Sequence, residues 1–167
     1  GNTIGDSSPE SRARNMSVEV NLATAAYLGE EWTFLDCPGS IELMQETYCS
    51  LAVADAAIVV CEPGAEKALA VTRLLLVLDE RRIPYIIFIN KIDGTEPKVK
   101  ETFNALQNLT ERPLVMREIP LRDDDQINGY VDLVSERAYS YKQGQPSDLI
   151  EVPESESGRK EEERTIL

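Results

Sequence analysis

The sequence contains no histidine. That removes the commonest general base, the commonest metal ligand and the usual near-neutral pH switch. Catalysis by Ser-His-Asp or Cys-His groups is therefore excluded within this chain. Cysteine is scarce: Cys37, Cys49 and Cys61 are all there is, with no Cys-x-x-Cys spacing. A structural zinc site on cysteine alone takes about four thiolates, so the three read as reduced thiols. No apolar run approaches the roughly 20 residues that span a bilayer; Ala56–Cys61 and Leu74–Leu78 are among the longest. The first residues have neither the basic start nor the apolar stretch of a signal peptide. No membrane partner is expected. Positive charge is in short supply, with 17 Lys plus Arg against 30 Asp plus Glu and a net charge of −13. Such a balance argues against tight binding to free DNA, whose phosphates need Lys and Arg. It leaves open docking on a ribonucleoprotein through a local patch.

What is present is ordinary globular composition: 167 residues, 42% hydrophobic and 28% charged. Residues 1–17 are nearly devoid of apolar side chains and read as a flexible loop that orders on a ligand. Val18–Leu22 alternates apolar and polar and runs on as a strand to about Tyr27. A turn at Gly29–Glu31 leads into Trp32–Asp36, making a hairpin whose Trp32 and Phe34 are expected to face a core. After Cys37-Pro-Gly39, helical spacing runs from Ser40 to about Val53, with Ser40 as N-cap. Ala56–Glu62 and Pro84–Asn90 read as buried parallel strands, and Glu66–Glu80 and Pro97–Asn108 as helices. Leu114–Ile119, Gln126–Asp132 and Ala138–Tyr141 read as further strands, the first two separated by an acidic turn at Arg122–Asp125. Tyr139 and Tyr141 fall on one strand face, which is not read as a base-stacking platform. The fold class expected is α/β, a doubly wound and mostly parallel sheet with helices on both faces and a small α+β insert. The divisions expected are 1–112 for the main domain, 113–150 for the insert and 151–167 for a charged tail or frayed helix.

Ligands on such sheets sit beyond the carboxyl ends of the strands, and two strands end in polar groups there. The first group is Asp36-Cys-Pro-Gly39. A strand-end aspartate can hold Mg²⁺, a hard cation that prefers oxygen. A glycine amide at the following helix start can approach a terminal phosphate. The second group is Asn90-Lys-Ile-Asp93. Guanine presents N1–H and N2–H₂ side by side, and the Asp93 carboxylate can accept both. Adenine lacks that donor pair and would leave the carboxylate unsatisfied. The stem of Lys91 can lie along the base face, and Asn90 can tie neighbouring loops. From Asp36 to Asn90 the chain runs strand, helix, strand, helix, strand, the order of a guanine-nucleotide-binding switch domain.

On these motifs the chain resembles the GTPase domain of translation elongation factor G and its relatives, over about residues 1–150. Gly39-Ser40 and the following Ile-Glu-Leu-Met-Gln-Glu resemble the second switch. Ile119-Pro120 and Gly129-Tyr-Val-Asp-Leu133 resemble the inserted subdomain. Arg14-Asn-Met-Ser17 stands where the family has Arg-Gly-Ile-Thr in the first switch. The resemblance implies that Ser17 offers its hydroxyl to Mg²⁺ and its N–H to the γ-phosphate. It also implies a P-loop GTPase fold, GTP or GDP with Mg²⁺ as ligands, the ribosome as partner and the cytoplasm as location.

The chain departs from the family pattern in three places. Ser40 stands where relatives carry the histidine that orients the attacking water, so hydrolysis is expected to be slow or atypical. No Gly-x-x-x-x-Gly-Lys-Ser/Thr occurs, and no closing guanine loop follows the insert. Both absences are explained if the sequence is part of a longer protein, with the first strand and phosphate loop missing. The sheet is then expected to be interrupted between Trp32–Asp36 and Ala56–Glu62, and the isolated chain to bind GTP weakly. Three functions are weighed: a factor-G-like GTP hydrolase, a non-catalytic guanine-nucleotide-binding or ribosome-associated pseudo-GTPase module, and an unrelated α/β interaction domain in which the motif pair occurs by chance.

Overall fold

The computed structural model describes residues 5–92, 99–123, 126–142 and 144–153. The chain divides into two compact units, Gly1–Ala57 and Ile58–Leu167.

The first unit opens on helix α1 (Pro9–Arg14), where a loop is expected from the sequence. Local chemistry explains it. Ser8 Oγ accepts from the Ser11 N–H at 3.2 Å, Pro9 stands at the first helical position, and Asn15 ends the helix in the left-handed region at φ 50°. Strands β1 (Asn21–Tyr27) and β2 (Glu30–Asp36) pair antiparallel from Asn21↔Asp36 to Tyr27↔Glu30. Leu28 (φ 53°) and Gly29 (φ 85°) make the two-residue turn between them, whose positive φ values suit the twist of the strands. Trp32 and Phe34 are exposed, not buried as expected, because no described residue covers that side of the hairpin. After β2 comes a single 3₁₀ turn (Ile41–Leu43) and then α2 (Met44–Ser50). Ser40 does occupy the N-cap position, but its side chain makes no capping hydrogen bond.

The second unit begins with β3 (Ala57–Cys61), α3 (Ala65–Ala70), α4 (Thr72–Glu80), β4 (Tyr85–Ile89) and α5 (Val99–Gln107). The helix expected over Glu66–Glu80 is broken at Val71. Thr72 Oγ1 donates to the Leu69 carbonyl at 2.7 Å, a side-chain bond that competes with the helical ladder. Strands β3 and β4 are neighbours in a two-stranded sheet. The Asn90 N–H, just past β4, donates to the Cys61 carbonyl at 2.8 Å, so the carboxyl ends of both strands lie side by side. Val59 and Cys61 are buried, as are Ala68, Leu75, Leu78 and Leu106 on the helices. The alternate residues Ile58, Val60, Ile86 and Phe88 are each more than half exposed. The fully buried strands read from the sequence are thus covered on one face only.

Arg112 locks the helical layer. Its guanidinium pairs with Asp79 at 3.0 Å and donates to the Ile83 carbonyl at 3.1 Å and the Leu78 carbonyl at 3.3 Å. A cation at the end of α4 also complements the helix dipole.

A four-stranded antiparallel sheet follows in the order β5 (Glu118–Asp123), β6 (Gln126–Asp132), β7 (Arg137–Lys142), β8 (Gln145–Ile150). Its inner face buries Ile119, Leu121, Val131, Leu133 and Ala138, with Phe103 of α5 packed against them. Gly129 is required by close approach: a Cβ there would lie 2.1 Å from the Tyr139 carbonyl oxygen. On the other face Tyr130 stacks on Tyr139 with ring centroids 5.2 Å apart. The first of these strands starts at Glu118, later than the Leu114 expected, and β8 has no counterpart in the sequence reading.

Strands β1 and β2 form one two-stranded sheet and β3 and β4 another.

Candidate functional site

The predicted site residues fall in two groups, one in each unit. In the first unit, β2 carries Asp36 to its end, where the side chain is exposed. Pro38 is buried and fixes the turn, while Gly39 is exposed. A Cβ built on Gly39 meets none of the described residues within 4 Å, and Gly39 has no positive φ. The described part of the fold thus makes no demand for glycine there.

Ser17 is not free in the same way. Its hydroxyl donates to Asp6 Oδ2 at 3.1 Å. Asp6, itself in the left-handed region at φ 54°, also accepts from Asn21 Nδ2 at 3.0 Å and donates its N–H to Asn21 Oδ1 at 3.0 Å. Asn21 is the register partner of Asp36, so this small network meets the strand end that bears Asp36. Asp6 is a residue that sequence reasoning missed. A cleft of about 380 Å³ lies in the same unit, lined among others by Arg14, Met16, Val18, Ser40 and Glu42. Residues of the Arg14–Ser17 segment and of the Gly39-Ser40 turn therefore share one concavity. Arg14 pairs with Glu10 at 3.0 Å on its rim.

In the second unit, the turn after β4 is tied at each step. Asn90 Oδ1 accepts the Lys91 N–H at 2.9 Å. Lys91 is in the left-handed region at φ 58°, a conformation costly for a residue other than glycine and common at ligand-binding turns. Its ammonium pairs with Glu62, the residue that follows β3. The hydrogen bond from Lys91 holds the Glu62 carboxyl below its ordinary range, and the same contact holds the Lys91 ammonium above its own. Asp93 lies outside the described residues. Glu62 is the second residue missed; its contact with Lys91 joins residues 29 apart, which no local pattern announces.

The chain that carries these two strand ends, in this order, matches a known family over almost its whole length. The sequence fits the Elongation factor Tu GTP binding domain over residues 1–158. The chain belongs to that family. It is 42% identical over 164 residues to an Elongation factor G-like protein of Synechocystis sp., covering 98% of this chain and 24% of that protein. It is 28% identical over 145 residues to the Elongation factor G of Granulibacter bethesdensis, covering 87% of this chain and 21% of that protein. A solved structure from Thermus thermophilus superposes with a TM-score of 0.85 at 25% identity, over 99% of this chain and 24% of the other. The chain thus spans about a quarter of the length of the relatives it matches.

As an elongation-factor-like GTP-binding domain, it has the P-loop GTPase fold. No helix among the described residues is long and apolar enough to cross a membrane. Among the described residues no cluster of three or more His, Cys, Asp and Glu could hold a metal on its own. Asp36 at the end of β2 and Ser17 both carry oxygen donors, the type that a hard cation such as Mg²⁺ prefers. The acidic turn at residues 122–125 is described only through Asp123.

Proposed function

We propose that this chain is the guanine-nucleotide-binding part of a longer, factor-G-like translational GTPase of the cytoplasm that acts on the ribosome. In this reading residues 1–112 belong to the GTPase domain, 113–150 to its insert and 151–167 to a charged tail or frayed helix. Asp93 accepts the N1–H and N2–H₂ of guanine, Lys91 lays its stem along the base and Asn90 ties the turn to β3. Asp36 and Ser17 are the groups that would hold Mg²⁺, which neutralises phosphate charge when bound. The Gly39 amide approaches the γ-phosphate. For Ser17 to serve in this way its hydroxyl would exchange its bond to Asp6 for the cation.

The observation that carries the reading is the turn after β4: Asn90 bonded to Cys61, Lys91 held at positive φ, both at paired strand ends. The carboxyl ends of strands are where sheets of this class take their ligands. Competition of GDP, ADP and XDP against a fluorescent guanine nucleotide on the full-length protein tests it. Preference for GDP over ADP by about 100-fold is expected, since adenine leaves the Asp93 carboxylate unpaired.

A second reading is favoured by Ser40. Serine is too short to orient an attacking water as the family histidine does, which leaves a protein that binds GTP and engages the ribosome without turning it over. Single-turnover hydrolysis by the full-length protein, with and without ribosomes, separates a slow GTPase from a non-catalytic module.

A further inference from the structure

We infer that Glu62 is a positioning residue for guanine-nucleotide binding, anchoring the Lys91 ammonium so that the lysine stem is already laid out where the base docks. The inference rests on the guanine reading above and adds a residue outside the Asn90–Asp93 turn. Lys91 is fixed at both ends. Its backbone N–H donates to Asn90 Oδ1 at 2.9 Å, and its ammonium pairs with Glu62. Glu62 in turn sits on a loop that cannot drift. It follows Cys61, whose carbonyl accepts the Asn90 N–H at 2.8 Å. Two residues on, the Gly64 N–H donates to Thr102 Oγ1 at 2.7 Å, and Thr102 is fully buried. Gly64 has φ 124°, which a side chain would resist, so the loop keeps its path.

The physical reason for the arrangement is rotamer freedom. A lysine stem carries many conformers, and a base that stacks on it must immobilise them on binding. A carboxylate that grips the head beforehand leaves the methylenes aligned and moves that cost out of the binding step. Stability is a poor alternative explanation for the pair: the side chains are 67% and 39% exposed, and exposed ion pairs contribute little to folding. Glu62 also faces Lys67 at 3.6 Å, a looser contact that offers a control.

The test is a titration of the full-length protein with a fluorescent GDP analogue. Glu62→Gln is expected to weaken binding about three- to tenfold, with the thermal midpoint unchanged. In a Lys91→Met background the same substitution is expected to cost nothing more. Lys67→Met is expected to leave the affinity as it was. Affinity of Glu62→Gln equal to the unmodified protein overturns the inference, and so does a Glu62→Gln loss that persists undiminished in the Lys91→Met background, since that marks a general structural role. Failure of the unmodified protein to bind any guanine nucleotide rejects the guanine reading itself, and the inference with it.

Discussion

At the end of β4, Asn90 and Lys91 are bonded to β3, to each other and to Glu62. At the end of β2, the Asp36 carboxylate is exposed, a Cβ on Gly39 would meet none of the described residues within 4 Å, and Ser40 makes no capping bond. One turn is bonded at each step; the other has few bonds of its own. The difference fits a division of labour. A base is the same in GDP and GTP, so its receptor binds better when it is already ordered. The terminal phosphate is what distinguishes the two, so the segment that senses it must be free to order around it. The Asp6–Ser17 bond points the same way: it occupies the hydroxyl proposed for Mg²⁺ with a contact that can be given up.

Substitutions in the two turns probe this contrast. The largest effect is expected at Asp93. Asp93→Asn should lower GDP affinity by about 100-fold and move preference toward XDP, whose C2 carbonyl accepts a hydrogen bond from the new amide; competition binding measures it. Next comes Asp36→Asn, expected to cut the Mg²⁺-dependent part of GTP affinity about tenfold while leaving base preference intact, since charge-assisted contacts are worth about 1.5–3 kcal/mol; titration with and without Mg²⁺ checks this. Gly39→Ala tests the open turn more finely. Unfolding free energy should stay within about 0.5 kcal/mol of the unmodified protein, because the new methyl meets none of the described residues within 4 Å. GTP affinity should fall severalfold and GDP affinity should not. A loss of GDP affinity equal to that of GTP would contradict the assignment of Gly39 to the γ-phosphate. The smallest effect is expected at Ser8→Ala, which removes the cap of α1 and should cost about 1 kcal/mol by chemical denaturation without altering nucleotide preference.

The two turns and their surroundings also differ in how far the sequence discloses them. The strand order, the hairpin and the paired apolar strands are legible because alternation and apolar runs report burial directly. The strand-end places of Asp36 and of Asn90 and Lys91 are legible because the strands before them show in the residue pattern. Helix α1 is not, because its six residues have no apolar face; it is held by Ser8, Pro9 and Asn15 instead. Strand β8 escapes notice because Pro146 and Asp148 are poor strand formers and it pairs only with β7, where Pro is tolerated at an edge. Trp32 and Phe34 mislead because an apolar side chain reveals that it wants cover, not that cover is present. Glu62 and Asp6 stay hidden for a different reason. Each acts through a contact between segments distant in sequence, 29 residues in one case and 11 in the other, and no local pattern announces such a pairing.

Guanine recognition stands or falls on a competition titration of the full-length protein with GDP and ADP at fixed Mg²⁺. Displacement by GDP is predicted at a concentration about 100-fold below that needed for ADP. Equal displacement by the two nucleotides would contradict a guanine-reading turn after β4.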